Sequence, residues 1–293
     1  MATLSSSATV DGARARLLSI RPELEKMMAV AGTVGLSYGV VLHGELVLID
    51  NLGYRDLERK LPPDEETIFP ICSMAKGLVS SLVGMLVEEG KLDFDDRVAD
   101  LLSWYNPKTT PLKESARLSD WMSMQSGTEP YQVWFQSQNN IIFKKEDAMK
   151  IINNLESVTD LRTSFSRIFE PLNLDRTDAK GAIDGVDNVA KAYTVLNNGT
   201  PINIRRTPIS GATILGAGGG VHSCIKDLLV LYREILRASV DQFKTGTTST
   251  TSTGSVFQRL TTTMSAHSKL PGPSFHESTY GMGWLQTHPP NQT

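Results

Sequence analysis

The sequence predicts an α/β chain in the broad sense, α+β in detail. Three patterns carry this. Two strand-like runs, Val34 to Leu42 and Glu45 to Ile49, flank His43-Gly44, which reads as a hairpin turn. The run Gly77 to Glu89 is nearly apolar all round, as expected of a helix buried in a core. Apolar residues elsewhere recur at helical spacing, first over residues 11–31 (Ala13, Leu17, Leu18, Ile20, Leu24, Met27, Met28).

The remaining elements follow in order. Gly53-Tyr54-Arg55-Asp56 closes the hairpin unit, and Thr67-Ile68-Phe69-Pro70-Ile71 reads as a strand leading into the central helix, with Gly90 at that helix's C-terminal cap. Lys91 to Leu102 is a capped turn and short helix. Ala116 to Met124 is another helix, stopped at Gly127. Residues 145–155 and 159–169 are two further helices, the second ended by Pro171. Ile214 to Val221 is a glycine-rich approach to a helix over Lys226 to Leu236. Thr245 to Gly254, rich in Thr, Ser and Gly, is a surface loop, and Tyr280 to Leu285 begins a strand.

Composition narrows the class. Of 293 residues, 40% are hydrophobic and 21% charged, which is ordinary globular usage. A net charge of −3 favours neither nucleic acid nor an anionic membrane as partner. Two cysteines, Cys72 and Cys224, are too few for a disulfide scaffold and read as free buried thiols. Met1 to Thr9 is polar, without the basic and apolar regions of a secretory signal, and no run of about 18 apolar residues occurs. The expected setting is therefore cytoplasmic, and the sequon Asn198-Gly199-Thr200 then has little meaning.

Chemistry concentrates at Ser73-Met74-Ala75-Lys76. Positions i and i+3 share a helix face, so the Lys76 amine can lie beside the Ser73 hydroxyl. The first N–H groups of a helix are unpaired and carry partial positive charge. One place thus offers a nucleophile, a base and donors for an oxyanion. The competing reading makes Ser73 a simple N-cap. Lys76 serves as base only where burial lowers its pKa.

Other signals are weaker. There is no Gly-x-Ser-x-Gly elbow. The histidines (His43, His222, His267, His276, His288) lack metal-ligand spacing and read as turn or surface residues. Gly216-Ala217-Gly218-Gly219-Gly220 lacks the third glycine of a dinucleotide loop. Neither a cofactor nor a metal is called for. Trp104, Trp121 and Trp134 read as core or pocket-wall residues, and Trp284 as structural. Ser223-Cys224-Ile225-Lys226 repeats the Ser-x-x-Lys spacing, but reads as an N-cap serine and a surface lysine.

Several patterns fall in one order. After the hairpin, Gly35 to Tyr54, come Thr67-Ile68-Phe69 with Ser73-Met74-Ala75-Lys76, and then Gly90 to Val98. Next are Leu118 to Gly127, Ile168-Phe169-Glu170-Pro171-Leu172-Asn173-Leu174-Asp175-Arg176-Thr177, and Gly218-Gly219-Gly220-Val221-His222-Ser223 with Asp227-Leu228. Tyr280-Gly281-Met282-Gly283-Trp284 completes the set. Taken together, this order resembles the class C β-lactamase and penicillin-binding-protein-like family of serine hydrolases and transesterases. The resemblance spans almost the whole chain, with Gln125 in place of the usual threonine of the family's Thr-Ser-Gly corner.

The resemblance implies a β-lactamase/transpeptidase-like fold: an antiparallel sheet flanked by helices, with a helical subdomain within about residues 60–220 of a single 1–293 domain. It implies acyl transfer on a small-molecule ester, amide or lactam, with Ser73 as nucleophile and Lys76 as base, and no nucleic-acid or membrane partner. Two family motifs do not match. None of the seven tyrosines (Tyr38, Tyr54, Tyr105, Tyr131, Tyr193, Tyr232, Tyr280) has Asn two residues on, and no Lys-Thr-Gly or His-x-Gly follows Trp284. Lys244-Thr245-Gly246 spells the latter motif but precedes Tyr280, the wrong order. The C-terminal strands of the sheet are therefore expected to be largely missing, leaving the hairpin edge partly unpaired. The alternative expectation is a truncated family member without turnover.

Overall fold

A computed structural model describes residues 6–102, 105–107, 110–126, 161–179, 183, 185–210, 213, 215–251, 255–270 and 277–288. The expected helix over 145–155, Gly127, Tyr131, Trp104 and Trp134 lie outside these residues.

The chain opens with two helices where the sequence suggests one, α1 (Ser6–Ser19) and α2 (Arg21–Ala31). Pro22 explains the break. It has no N–H for the carbonyl four residues back, so it is tolerated only in a first helical turn, and Ile20 becomes the cap of α2. The hairpin follows, β1 (Gly35–Leu42) antiparallel to β2 (Glu45–Gly53). His43 and Gly44 both have positive φ, 53° and 85°, the backbone that a two-residue turn needs to match strand twist. β2 runs four residues further than the alternating pattern suggests. Among the described residues this hairpin is a two-stranded sheet, and a long C-terminal helix packs across β1.

Of the expected 67–71 strand, Phe69–Pro70 forms β3, which pairs antiparallel with β6 (His222–Ser223), and Ile68 makes a parallel bridge to Val189. Pro70 has no N–H to continue a ladder. A single 3-10 turn, Cys72–Met74, then feeds α3 (Ala75–Glu88). Gly90, with φ 67°, ends α3 in a Schellman motif: its N–H meets Val87 O at 3.0 Å, and Lys91 N–H meets Leu86 O at 2.9 Å.

α4 (Val98–Leu101), α5 (Thr110–Ser115) and α6 (Leu118–Met122) are short, and α6 ends earlier than Met124 because Met124 takes a left-handed φ of 60°. Then come α7 (Leu161–Phe169), the hairpin β4 (Ala192–Val195) with β5 (Pro201–Ile204), and α8 (Gly216–Gly219). α9 (Ile225–Thr245) is longer than expected and stops at Gly246, in the left-handed region. α10 (Leu260–Met264) precedes a three-stranded antiparallel sheet, β7 (Ser268–Leu270), β8 (Glu277–Tyr280) and β9 (Leu285–His288).

α3 is the hub. Ala75, Leu78, Leu82 and Met85 recur at helical spacing and are buried against α7, α8 and α10. Phe165 and Phe169 of α7 stack there, their centroids 5.5 Å apart. α9 adds Leu231, Ile235 and Ala238 from one face. The segment Arg176-Thr177 is tied to α9 by buried Asp227, whose carboxylate accepts Arg176 N–H at 2.9 Å and Thr177 Oγ1–H at 2.8 Å.

Several expectations need correction. Cys224 is buried, but Cys72, at a left-handed φ of 46° just before α3, is exposed. His222 is buried, 4% exposed, where the sequence suggested a turn or surface residue; pairing of β6 with β3 carries it inside. Ser223 does not cap α9. Cys224 holds that position, and the Ser223 hydroxyl bonds to Thr177 Oγ1 at 2.8 Å. Lys226 is a surface residue as expected, paired with Glu66.

Candidate active site

The site is built where β3, the 3-10 turn and α3 meet. Cys72 adopts a left-handed φ that non-glycine residues seldom take, at a local expense of about 1–2 kcal/mol. Such backbone is held only where surrounding structure dictates it, and it clusters at functional positions. Ser73 follows immediately and is exposed. It is not an N-cap: neither the 3-10 turn nor α3 has a side-chain cap. The hydroxyl is instead met by Lys76 Nζ at 2.9 Å. The two residues named from the Ser-x-x-Lys spacing are thus brought together.

Lys76 is half-buried, and burial pulls its amine below the ordinary lysine value of 10.5, opposed by the nearby Cys72 thiol. Its Nζ also donates to the carbonyl of Gly218 at 2.9 Å. That bond fixes the amine from the far side. A neutral amine held this way keeps its lone pair for the proton of Ser73. Ser73 N–H lies in the first turn of the helical segment, where backbone donors lack intrahelical acceptors. A negative oxygen formed at Ser73 would find a donor there.

Close approach around Lys76 depends on glycine. A Cβ at Gly218 would stand 3.3 Å from Lys76 Nζ. Gly283, with φ 78°, lies so near α3 that a Cβ would come within 2.6 Å of the Lys76 carbonyl oxygen. Gly77 allows the Trp284 ring to rest on α3, its Cβ position being 3.0 Å from that ring. The loop after β8 is in this way pressed onto the start of α3.

A hollow of about 280 Å³ opens beside Lys76, lined by Lys76, Val79, Ser80, Trp121, Met122, Met124, Gly218, Tyr280, Met282 and Gly283. Trp121 is a pocket-wall residue, one of the two roles its sequence context suggested. Two contacts fix its far wall against β7. Ser268 Oγ–H donates to Ser123 O at 3.2 Å, and the Gln125 side-chain amide donates to His267 O. Gln125, which departs from the usual threonine, therefore ties the segment after α6 to the residue before β7.

Tyr280 and Met282 were not foreseen at the site. The Tyr280-to-Trp284 run signalled a strand start, and nothing local says that its tyrosine lines the same hollow as Lys76. Burial pushes the Tyr280 phenol above its ordinary value. Ser80, one turn beyond Lys76, was equally hidden in an apolar run. By contrast, Lys244-Thr245 ends α9 and Gly246 is its cap, so this tripeptide is no edge strand, in keeping with its order in the chain. Among the described residues, no group of three or more His, Cys, Asp or Glu is placed to hold a metal ion, and no helix is long and apolar enough to cross a membrane.

Comparison with known proteins adds the following. A family model described as Beta-lactamase matches residues 20–292. The serine beta-lactamase-like protein LACTB, mitochondrial, of Bos taurus is 36% identical over 77 residues, 26% of this chain and 14% of that protein. The Homo sapiens protein of the same name matches with the same identity and coverage. The matched stretch is thus a small part of those relatives' length. The fold is similar to that of the octameric penicillin-binding protein homologue from Pyrococcus abyssi, with a TM-score of 0.71, 20% identity, and 92% of this chain and 64% of that chain covered. The expected fold class, helices around antiparallel strands in a transpeptidase-like arrangement, is the observed one.

Proposed function

The chain belongs to the beta-lactamase family, and on that premise we propose that it is a serine hydrolase or acyltransferase whose acyl-enzyme forms on Ser73, its substrates small-molecule esters, amides or lactams. The observation that carries this is the 2.9 Å contact between Lys76 Nζ and Ser73 Oγ at the edge of a hollow. Ser73 Oγ attacks the carbonyl carbon while its proton passes to Lys76 Nζ. The carbonyl oxygen becomes an oxyanion facing Ser73 N–H. Collapse breaks the bond to the leaving group, which takes the proton from Lys76. Water or an alcohol then attacks the Ser73 ester and gives its proton to Lys76, which passes it to Ser73 Oγ as the ester bond breaks, restoring the serine hydroxyl and the neutral amine.

A hydrolase or transesterase of secondary metabolism in the cytoplasm is the finer form of this proposal. The named relatives carry "mitochondrial" in their names, so fractionation of the native protein decides the compartment. The test of the chemistry is labelling by a fluorophosphonate or a chromogenic ester. Labelling that is lost in Ser73→Ala supports acyl transfer. Folded protein that takes no label supports the reading of a family member without turnover, which the missing Tyr-x-Asn motif favours.

A further inference from the structure

The hollow beside Lys76 has an unusual balance for a site that handles polar bonds. Val79, Trp121, Met122, Met124 and Met282 give it apolar walls. Lys76 is the only charged side chain in its lining among the described residues, and its Nζ is already engaged by Ser73 Oγ and Gly218 O. Two hydroxyls and one indole N–H belong to the lining, all uncharged; Trp121 Nε1 is buried without a hydrogen-bond partner among the described residues. Ser80 is 2% exposed and its Oγ has no hydrogen-bond partner, and the Tyr280 hydroxyl has none among the described residues. Nothing else described there could compensate a carboxylate stripped of water, whose burial without a partner is strongly unfavourable. An uncharged apolar group gains instead by leaving water.

From these observations we propose that the hollow is the acyl pocket of the site and selects an uncharged, apolar acyl group of medium length over short or anionic ones. This rests on the reading of Ser73 as the acylated residue. A cavity of about 150 Å³ accommodates benzene, so the space here suits an acyl chain of about eight carbons. Orientation follows from the lining. The reacting carbonyl stays at Ser73, outside the hollow, and the chain passes Lys76 to lie between Val79, Trp121 and Met282. The Tyr280 hydroxyl can offer one hydrogen bond to a polar atom on that chain, but no charge, and Ser80 Oγ stays buried behind the wall. Met124, 60% exposed, stands at the rim, where the far end of a long chain would pass.

The test compares para-nitrophenyl acetate, butanoate and octanoate with para-nitrophenyl hydrogen suberate, which matches the octanoate in length but ends in a carboxylate. Acylation of Ser73 is read by intact mass and nitrophenolate release. The octanoate is expected to exceed the acetate in kcat/KM by at least about tenfold, and the suberate to fall at least about tenfold below the octanoate. A flat length series, or suberate equal to octanoate, overturns the proposal. Met124→Glu, a change at an exposed side chain, is expected to reduce the octanoate-to-acetate ratio at least about fivefold; an unchanged ratio also counts against it. A binding arm separates the pocket from the chemistry. Ser73→Ala protein titrated calorimetrically with octanamide should bind it saturably, and more weakly when Met124→Glu is added. Absence of binding overturns the pocket. Binding together with no acylation of the unaltered protein sinks the acyl-transfer reading and leaves the pocket standing.

Discussion

The Lys76 amine meets the carbonyl of Gly218 at 2.9 Å, across 142 residues of sequence. This one bond joins α3, the helix that carries the proposed base, to α8, the glycine-rich turn before β6. It sets the direction in which the amine points, and therefore which of its positions faces Ser73.

Gly218→Ala tests that relationship. The new methyl would press on Lys76 Nζ from 3.3 Å, and the flexible lysine would yield by a few tenths of an ångström. Stability should barely change, since only a side-chain end moves. Acylation should slow by about tenfold or more, because catalysis is steep in the placement of reacting groups. Rates of ester turnover beside a thermal melt give the answer. A large fall in Tm with normal turnover would show that the contact is structural only.

The dependence on pH has a definite sign. Lys76 must be neutral to take the Ser73 proton, and burial favours its neutral form. The rate of acylation should therefore rise with pH along a limb whose midpoint lies below 10.5, the ordinary lysine value. Below that midpoint the amine holds its proton and the rate falls. Linkage runs the same way. The unfolded chain keeps this proton to a higher pH than the folded one, so Lys76 adds to stability as pH rises from its depressed value toward 10.5. A pH profile of kcat/KM that is flat from 6 to 9 would remove Lys76 from the role of base.

Gly283→Ala should destabilise the protein by about 1–3 kcal/mol. The backbone there has φ of 78°, and the added Cβ would collide with the Lys76 carbonyl oxygen at 2.6 Å. That oxygen is main chain and cannot swing aside as a lysine tip can. Chemical denaturation should show the loss, and activity should fall with it, because the displaced residue is the proposed base.

Asp227→Ala should also destabilise, by about 2–4 kcal/mol, without touching the site. Two donors, Arg176 N–H and Thr177 Oγ1–H, would lose their buried acceptor together. Thr177→Val removes only one partner of the network and should do less harm. Equilibrium unfolding of the two variants side by side checks the order; a larger loss in Thr177→Val would reverse this account.

The site was half legible in the sequence. Ser73 and Lys76 stand three apart at a helix start, and 3.6-residue periodicity alone places them on one face. The hairpin was equally plain, since His43-Gly44 between alternating runs has few other solutions. Breaks were harder to see. Pro22 splits the first helix because a local rule about a missing N–H overrides an apolar period that continues across it. Cys72 and His222 were misjudged because exposure depends on backbone direction and strand pairing, which residue type does not encode.

What the sequence by itself determined is therefore the short-range part: a serine and a lysine one helical turn apart, the hairpin, and an apolar helix fit for burial. Only the tertiary structure decided the surroundings of that pair. Gly218 meets Lys76 from 142 residues downstream, and Tyr280 lines the hollow beside it, because burial of α3 against α7, α8 and α10 folds distant segments over its first turn. A helix dictates its own spacing through backbone bonds four residues apart, whereas the walls of a cleft arise from packing, in which any apolar segment of matching shape competes for the same surface.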